Sequence, residues 1–234
     1  MSGGAGLQEI WDEVALVLSE IAPIYDRVNR VISLGSDLKW RLEGLRLVLR
    51  PGEVVLDAGC GPGTMSDLAL RLVGDLKISL LDPLGVMLEA ARAKLRSSNC
   101  VFVAGTFEQM NFPDGSFDVV MCGFSLRDAR NLELALREVH RVLKPDGGRL
   151  LVVDLGKPDD ALMRHLIGIY WRYFVPLLAV LRVGKRGMFY SVLYKTYRKL
   201  PENGVLKAKL QALFRRVEVL EKMSGATVII RCMR

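Results

Sequence analysis

Residues 54–64, Val-Val-Leu-Asp-Ala-Gly-Cys-Gly-Pro-Gly-Thr, constrain this chain more than any other segment. A short apolar run ends in Asp57, and Gly59, Gly61 and Gly63 follow at every second position. A strand that opens into such a turn brings backbone close to a bulky ligand, where a Cβ would collide with it. The surrounding pattern extends a sheet from this turn. Short apolar runs at 53–56, 78–81, 101–104, 119–122 and 149–153 read as buried parallel strands. Helical spacing at 66–72, 85–95 and 131–142 separates them, and 7–22 and 37–49 read as helices ahead of the first strand. This alternation predicts an α/β, doubly wound sheet with helices on both faces. Residues 217–223 and 226–232, joined through Ser224-Gly225, carry the signature of a closing β-hairpin.

Length and composition narrow the class. A chain of 234 residues, half of them hydrophobic, buries one good core and is not disordered. Its net charge of +7 and pI near 9.4 point to an anionic partner, with nucleic acid and lipid headgroups both open. Cys60, Cys100, Cys122 and Cys232 form no Cys-x-x-Cys pair, and no secretory signal opens the chain. They read as reduced cytoplasmic thiols, with no metal site and no disulfide framework.

Residues 161–183 are apolar and aromatic, with Tyr170, Trp171, Tyr173 and Phe174, and are interrupted by Arg164, His165 and Arg172. The uncharged stretch is too short to span a bilayer, and Pro176 is expected to kink a helix. The segment reads as an interfacial or lid helix. Residues 182–216 then hold ten Lys and Arg against the single acid Glu202.

The glycine spacing discriminates among cofactors. A dinucleotide site takes G-x-G-x-x-G, whereas Thr64 stands where the last glycine would fall. Asp57, two residues before the first glycine, suits S-adenosylmethionine, whose amino and carboxylate groups need an acceptor and donors. Asp82, at the end of the second strand, is placed to accept from both ribose hydroxyls, a position that serves NAD sites too. A strand inserted antiparallel at the far edge by the closing hairpin marks class I methyltransferases and favours S-adenosylmethionine.

With these residues assembled, the chain resembles the menaquinone/ubiquinone-biosynthesis C-methyltransferase family almost from end to end. Ile21-Ala22-Pro23-Ile24-Tyr25-Asp26-Arg27-Val28-Asn29 is similar to its N-terminal I-A-x-x-Y-D-x-x-N segment, and Leu38-Lys39-Trp40-Arg41 to the helix that follows. The segment 108–118, Phe124-Ser125-Leu126-Arg127-Asp128, Arg141-Val142-Leu143-Lys144-Pro145 and Lys199-Leu200-Pro201 resemble further family motifs. Two departures stand out: Asp128 replaces the family's asparagine, and Ser125 its glycine.

The resemblance implies a Rossmann-like, seven-stranded and mostly parallel sheet with an antiparallel C-terminal strand. An N-terminal helical segment, 1–46, would cover the cofactor, and a methyltransferase domain, 47–234, would carry an apolar and basic insertion at about 157–212. Cofactor contacts fall on Asp57, Gly59, Gly61, Pro62 and Gly63 in the turn, and on Asp82 and Pro83 after the second strand. Thr106 and Phe107 stand where the family has a small pair beside adenine, and Gly123 ends the fourth strand. Tyr25 would reach the cofactor's methionine end.

Methyl transfer to an aromatic carbon needs a neighbouring phenol to ionise. Arg127 could stabilise that phenolate, because a guanidinium stays charged. Asp128 could take the phenol or ring proton. The implied acceptor is a prenylated quinol, with peripheral contact at an anionic membrane face through Lys185, Arg186, Lys195, Arg198 and Lys199. A homodimer is compatible, and nucleic acid is not expected as a partner. An RNA or protein methyltransferase, another small-molecule methyltransferase and a non-catalytic binding module are the alternatives. Gly123-Phe124-Ser125-Leu126 stands where amino-group methyltransferases carry N/D-P-P-Y.

Overall fold

A computed structural model describes residues 6–33, 35–96, 98–184, 187 and 192–234. Three helices precede the sheet: α1 (Trp11–Ile21), α2 (Tyr25–Ile32) and α3 (Asp37–Val48). Then β1 (Glu53–Ala58), α4 (Thr64–Val73), β2 (Leu76–Asp82), α5 (Gly85–Lys94) and β3 (Val101–Ala104) form the first wound half. The second half holds β4 (Val119–Gly123), α6 (Leu132–Val142) and β5 (Arg149–Leu155). An insertion follows, with α7 (Ala161–Ile169), α8 (Val175–Val183), α9 (Val192–Lys199) and α10 (Asn203–Gln211), before β6 (Arg216–Lys222) and β7 (Thr227–Met233).

The sheet has seven strands in the order β3-β2-β1-β4-β5-β7-β6. β1 to β5 pair in parallel, whereas β7 lies antiparallel between β5 and β6, as the sequence predicts. Strand periodicity sorts the core. Val119 and Met121 of β4, with Leu151 and Val153 of β5, face the side covered by α3, α4 and α5. Val120, Cys122, Leu150 and Val152 face α6 and α10. Strand order reverses between β1 and β4, so their carboxyl ends diverge into a crevice, where ligands bind in open α/β sheets.

One element was not anticipated: the Tyr25–Ile32 segment is a helix that the spacing did not single out. At the expected irregularity near Pro176, α7 and α8 run on through a wider π turn at Tyr170–Phe174, closed by the Val175 N–H to the Tyr170 carbonyl five residues back. This local widening accommodates a residue with no N–H to donate. The result is one rod over 161–183, with Trp171, Val175 and Ala179 on its buried face.

Candidate active site

The glycine turn is fixed by what surrounds it. Gly59 takes φ +65°, and a Cβ there would lie 2.6 Å from the Ser125 Cβ and 2.9 Å from the Phe107 ring. The loop after β4 therefore approaches this turn as only glycine permits. Gly61, at φ +53°, faces open space, and its N–H donates to Asp82 Oδ2 at 2.9 Å. The other Asp82 oxygen accepts from the Leu84 N–H at 2.9 Å. Burial raises the Asp82 pKa against these stabilising bonds.

A cleft opens over this turn. Of the residues expected at the cofactor, Gly59, Gly61, Asp82, Pro83, Thr106 and Phe107 line it. Trp11, Leu18 and Tyr25 close it from the N-terminal helices. That cover is fastened at two places. Leu7 and Gln8 donate to the Ala129 and Arg130 carbonyls at 2.9 and 3.1 Å. Asp26 accepts from Thr64 Oγ1 at 2.7 Å and pairs with Lys94 at 2.6 Å.

Four expected cofactor residues surround the cleft without lining it. Pro62 and Gly63 are buried beneath the turn. A Cβ on Gly123 would strike the Arg41 guanidinium. Asp57 is fully buried; its Oδ2 accepts from Ser66 Oγ at 2.6 Å, while Oδ1 has no partner. Burial pushes the Asp57 pKa up to about 6.

In the sequence Arg41 stands out only as part of the Leu38-Lys39-Trp40-Arg41 motif. Its guanidinium is buried, donates to the Gly123 carbonyl at 3.2 Å and lies 4.8 Å from the Phe124 ring centre. Its Nε has no partner among the described residues. The orphaned Asp57 oxygen and the orphaned Arg41 nitrogen, with the Asp82 carboxylate, fit the acceptors and donors that an aminoacyl nucleoside such as S-adenosylmethionine needs.

Beyond Phe124 lies a second, mainly apolar cavity. Ile32, Trp40, Leu155, Tyr170 and Trp171 form much of its wall, and Arg127 lines it. Tyr170 donates to the Ile32 carbonyl at 2.9 Å, which ties the rod to α2. Phe124 borders both cavities and holds a left-handed φ of +58°. Such strain in a non-glycine residue persists only where its surroundings fix it, here through a Phe124 N–H bond to the Val153 carbonyl at 2.7 Å. Tyr25, Asn29, Arg127 and Asp128 line a smaller space beside both cavities.

Arg127 and Asp128 meet there in a buried cluster. Arg127 Nη1 pairs with Asp154 Oδ1 at 2.8 Å, and its backbone N–H donates to Asp154 Oδ2 at 3.0 Å. Arg127 Nε lies 3.6 Å from Asp128 Oδ1, an ion pair without a hydrogen bond. Burial opposes the Arg127 charge, but Asp128 and Asp154 beside it drive its pKa up overall. Burial raises Asp128 to about 6 despite Arg127. Burial also raises Tyr25. Ser125, a departure from the family pattern, donates to the Ala58 carbonyl at 2.8 Å and fastens the β4 exit to β1. Of the histidines, His140 packs edge-on against Phe214 on α6, away from both cavities, whereas His165 is exposed on α7.

The basic tract is less free than its composition suggests. Lys195 pairs with Glu13 at 2.5 Å and Lys199 with Glu9 at 2.6 Å. Arg198 is exposed, and Lys185 and Arg186 lie outside the described residues. Among the described residues, no helix is long and apolar enough to cross a membrane.

Comparison with known proteins agrees with this geometry. The S-adenosylmethionine-dependent methyltransferase of Thermotoga maritima superposes with a TM-score of 0.66 at 22% identity, over 93% of this chain and 98% of that one. Demethylmenaquinone methyltransferase of Listeria welshimeri is 34% identical over 197 residues, which is 82% of this chain and 80% of the relative. Ubiquinone/menaquinone biosynthesis C-methyltransferase UbiE of Shewanella oneidensis is 34% identical over 227 residues, 94% of this chain and 90% of the relative. The model of the ubiE/COQ5 methyltransferase family matches residues 7–233, which include the cleft, the apolar cavity and the Arg127 cluster between them. The chain belongs to that family and is an S-adenosylmethionine-dependent methyltransferase.

Proposed function

We propose that this enzyme C-methylates a prenylated quinol, such as a demethylmenaquinol, in respiratory quinone biosynthesis. The observation that carries the reading is the mainly apolar cavity with the Arg127 guanidinium on its wall, which shares the Phe124 side chain with the cleft over the glycine turn. An aromatic diol with an isoprenoid tail matches both its apolar surface and the locked Arg127 cation.

Bound S-adenosylmethionine supplies an electrophilic methyl group. Asp82 would hold the ribose hydroxyls, and Thr106 and Phe107 would lie beside adenine. The buried Asp57 carboxylate would accept from the amino group, and Arg41 would pair with the cofactor's carboxylate. If Arg41 has this role, Arg41→Met weakens S-adenosylhomocysteine binding by about tenfold to a hundredfold, as loss of one charged hydrogen-bonding partner predicts. Binding of methylthioadenosine, which lacks the carboxylate, stays unchanged. Titration calorimetry with both ligands separates the two; equal losses would instead make Arg41 a packing residue.

Arg127 stabilises the quinolate oxygen, so that electron density reaches the ring carbon that attacks the methyl group. Asp128 takes the proton released from the phenol or from the ring carbon, and Tyr25 closes the space against water. Asp128 is competent as a base above its pKa of about 6. Asp57 has a similar pKa, so the profile is read with cofactor saturating. The kcat/KM for the quinol should then rise with pH through about 6 and level off, and Asp128→Asn should lose this limb together with most of the rate. The assay uses labelled cofactor and a short-chain quinol kept reduced. Methyl transfer to the quinol and none to its oxidised quinone is expected. A pH profile shared by wild type and Asp128→Asn would remove Asp128 from the reaction.

The reading includes peripheral contact with a membrane, since a prenylated acceptor resides there. The apolar rod roofs the acceptor cavity through Ile167, Tyr170 and Trp171, and its outer side is exposed.

A further inference from the structure

The rod over 161–183 presents two neighbouring strips to the outside. Leu162, Leu166, Phe174, Leu177 and Leu181 form an apolar stripe, with Leu162 62% and Leu181 75% exposed. Beside it, a broad, open groove runs between the rod and α9. Residues 161, 165, 168 and 172 give this groove one wall at helical spacing, and Tyr194, Tyr197 and Arg198 of α9 give the other. Neither strip is used by the methyl-transfer chemistry.

Five cationic or titratable basic side chains line the groove: Lys157, Arg164, His165, Arg172 and Arg198. Two are already engaged. Lys157 Nζ donates to the carbonyls of Arg198 and Leu200 at 3.2 and 3.0 Å, and Arg164 pairs with Glu202 at 2.9 Å. Among the described residues, no carboxylate pairs with Arg172, Arg198 or His165. Arg172 instead lies over two rings, 5.2 Å from the centre of Tyr173 and 5.6 Å from that of Tyr194. Stacking holds the guanidinium plane in place and leaves its edge free to donate to phosphate oxygens.

An apolar stripe bordered by unpaired guanidinium groups has the amphipathic geometry of a helix lying in a bilayer interface. We propose that the groove seats the phosphate of an anionic phospholipid headgroup, while the neighbouring stripe lies among the acyl chains. This rests on the membrane contact proposed above and names its lipid chemistry. It also gives that contact a purpose: the inner face of the docked rod is the roof of the acceptor cavity, so a prenyl tail could enter from the lipid without crossing water.

Flotation of the full chain with vesicles of phosphatidylcholine, alone or mixed with phosphatidylglycerol, tests the site. Wild type should bind the mixed vesicles more tightly, and the difference should shrink as salt rises. Arg172→Gln/Arg198→Gln should lower affinity for the mixed vesicles by about 25-fold, roughly fivefold for each guanidinium, and leave phosphatidylcholine binding unchanged. Leu166→Ser/Leu177→Ser should weaken binding to both. S-adenosylhomocysteine affinity, measured alongside, should match wild type in both variants and so report that they fold. Equal wild-type binding to the two vesicle types, or a charge variant that floats like wild type, would overturn the headgroup site. Failure of the quinol reading is seen separately, as absent methyl transfer to a short-chain quinol in detergent.

Discussion

Arg127→Met should lower kcat by about 10²- to 10³-fold, the usual effect of removing one preorganised group that stabilises developing negative charge. Its affinity for S-adenosylhomocysteine should change little, because Arg127 lines the acceptor cavity and not the nucleoside cleft. The guanidinium is preorganised: Asp154 grips it at 2.8 Å and also holds its backbone N–H. That grip has a consequence for stability. Removing the cation leaves Asp154 buried beside Asp128 without compensation, which costs about 3–5 kcal/mol for a buried pair broken on one side. Arg127→Met/Asp154→Asn should recover much of this loss, since asparagine can still accept from backbone without carrying charge. Turnover should not return with it. Thermal unfolding and kcat, measured on both variants, separate the roles; activity restored along with stability would make the cluster a structural ion pair.

Asp82→Ala should weaken cofactor binding by about 10²- to 10⁴-fold. The carboxylate accepts from the Gly61 and Leu84 N–H groups, each at 2.9 Å, and so shapes the turn beneath the cleft. Alanine orphans both donors and, in the proposed binding mode, removes the partner of two ribose hydroxyls. Charged hydrogen bonds contribute about 1.5–3 kcal/mol each, so losing two at the ligand gives this range. Asp82→Asn keeps one acceptor oxygen and should fall between wild type and alanine. Calorimetric titration with S-adenosylhomocysteine is the measurement, and an unchanged affinity in Asp82→Ala would place the ribose elsewhere.

The parts of this site that sequence made legible were those governed by local rules. The apolar runs placed each parallel strand to within a few residues, with 101–104 matching β3 at both ends. Gly59 was legible because a backbone forced to positive φ beside Ser125 and Phe107 admits nothing larger. Arg127 and Asp128 were legible through the family motif, but Asp154 was not. It is the penultimate residue of the uniformly buried strand β5, and only the parallel pairing of β4 with β5 brings it to Arg127. Arg41 reaches Gly123 from a helix 82 positions earlier in the chain, a contact that no periodicity encodes. The basic tract misled for the same reason. The acids that pair with Lys195 and Lys199 lie at the opposite end of the sequence, in Glu13 and Glu9. Pro176 is accommodated by the π turn before it, in which the Val175 N–H reaches five residues back to the Tyr170 carbonyl, a local widening that the apolar spacing does not encode.

In the proposed reaction the acceptor cavity takes a prenylated quinol and one carbon of its ring receives the methyl group. Mass spectrometry of quinone lipids checks this in bacterial cells that lack their own quinone C-methyltransferase and express either this chain or its Arg127→Met variant. Wild type should shift one quinone class upward by the mass of a single CH2, with the added mass on the ring fragment and the prenyl tail unchanged. The variant should leave that class unshifted. Quinone profiles that are identical with and without an active, cofactor-binding enzyme would rule out a prenylated quinol as the acceptor.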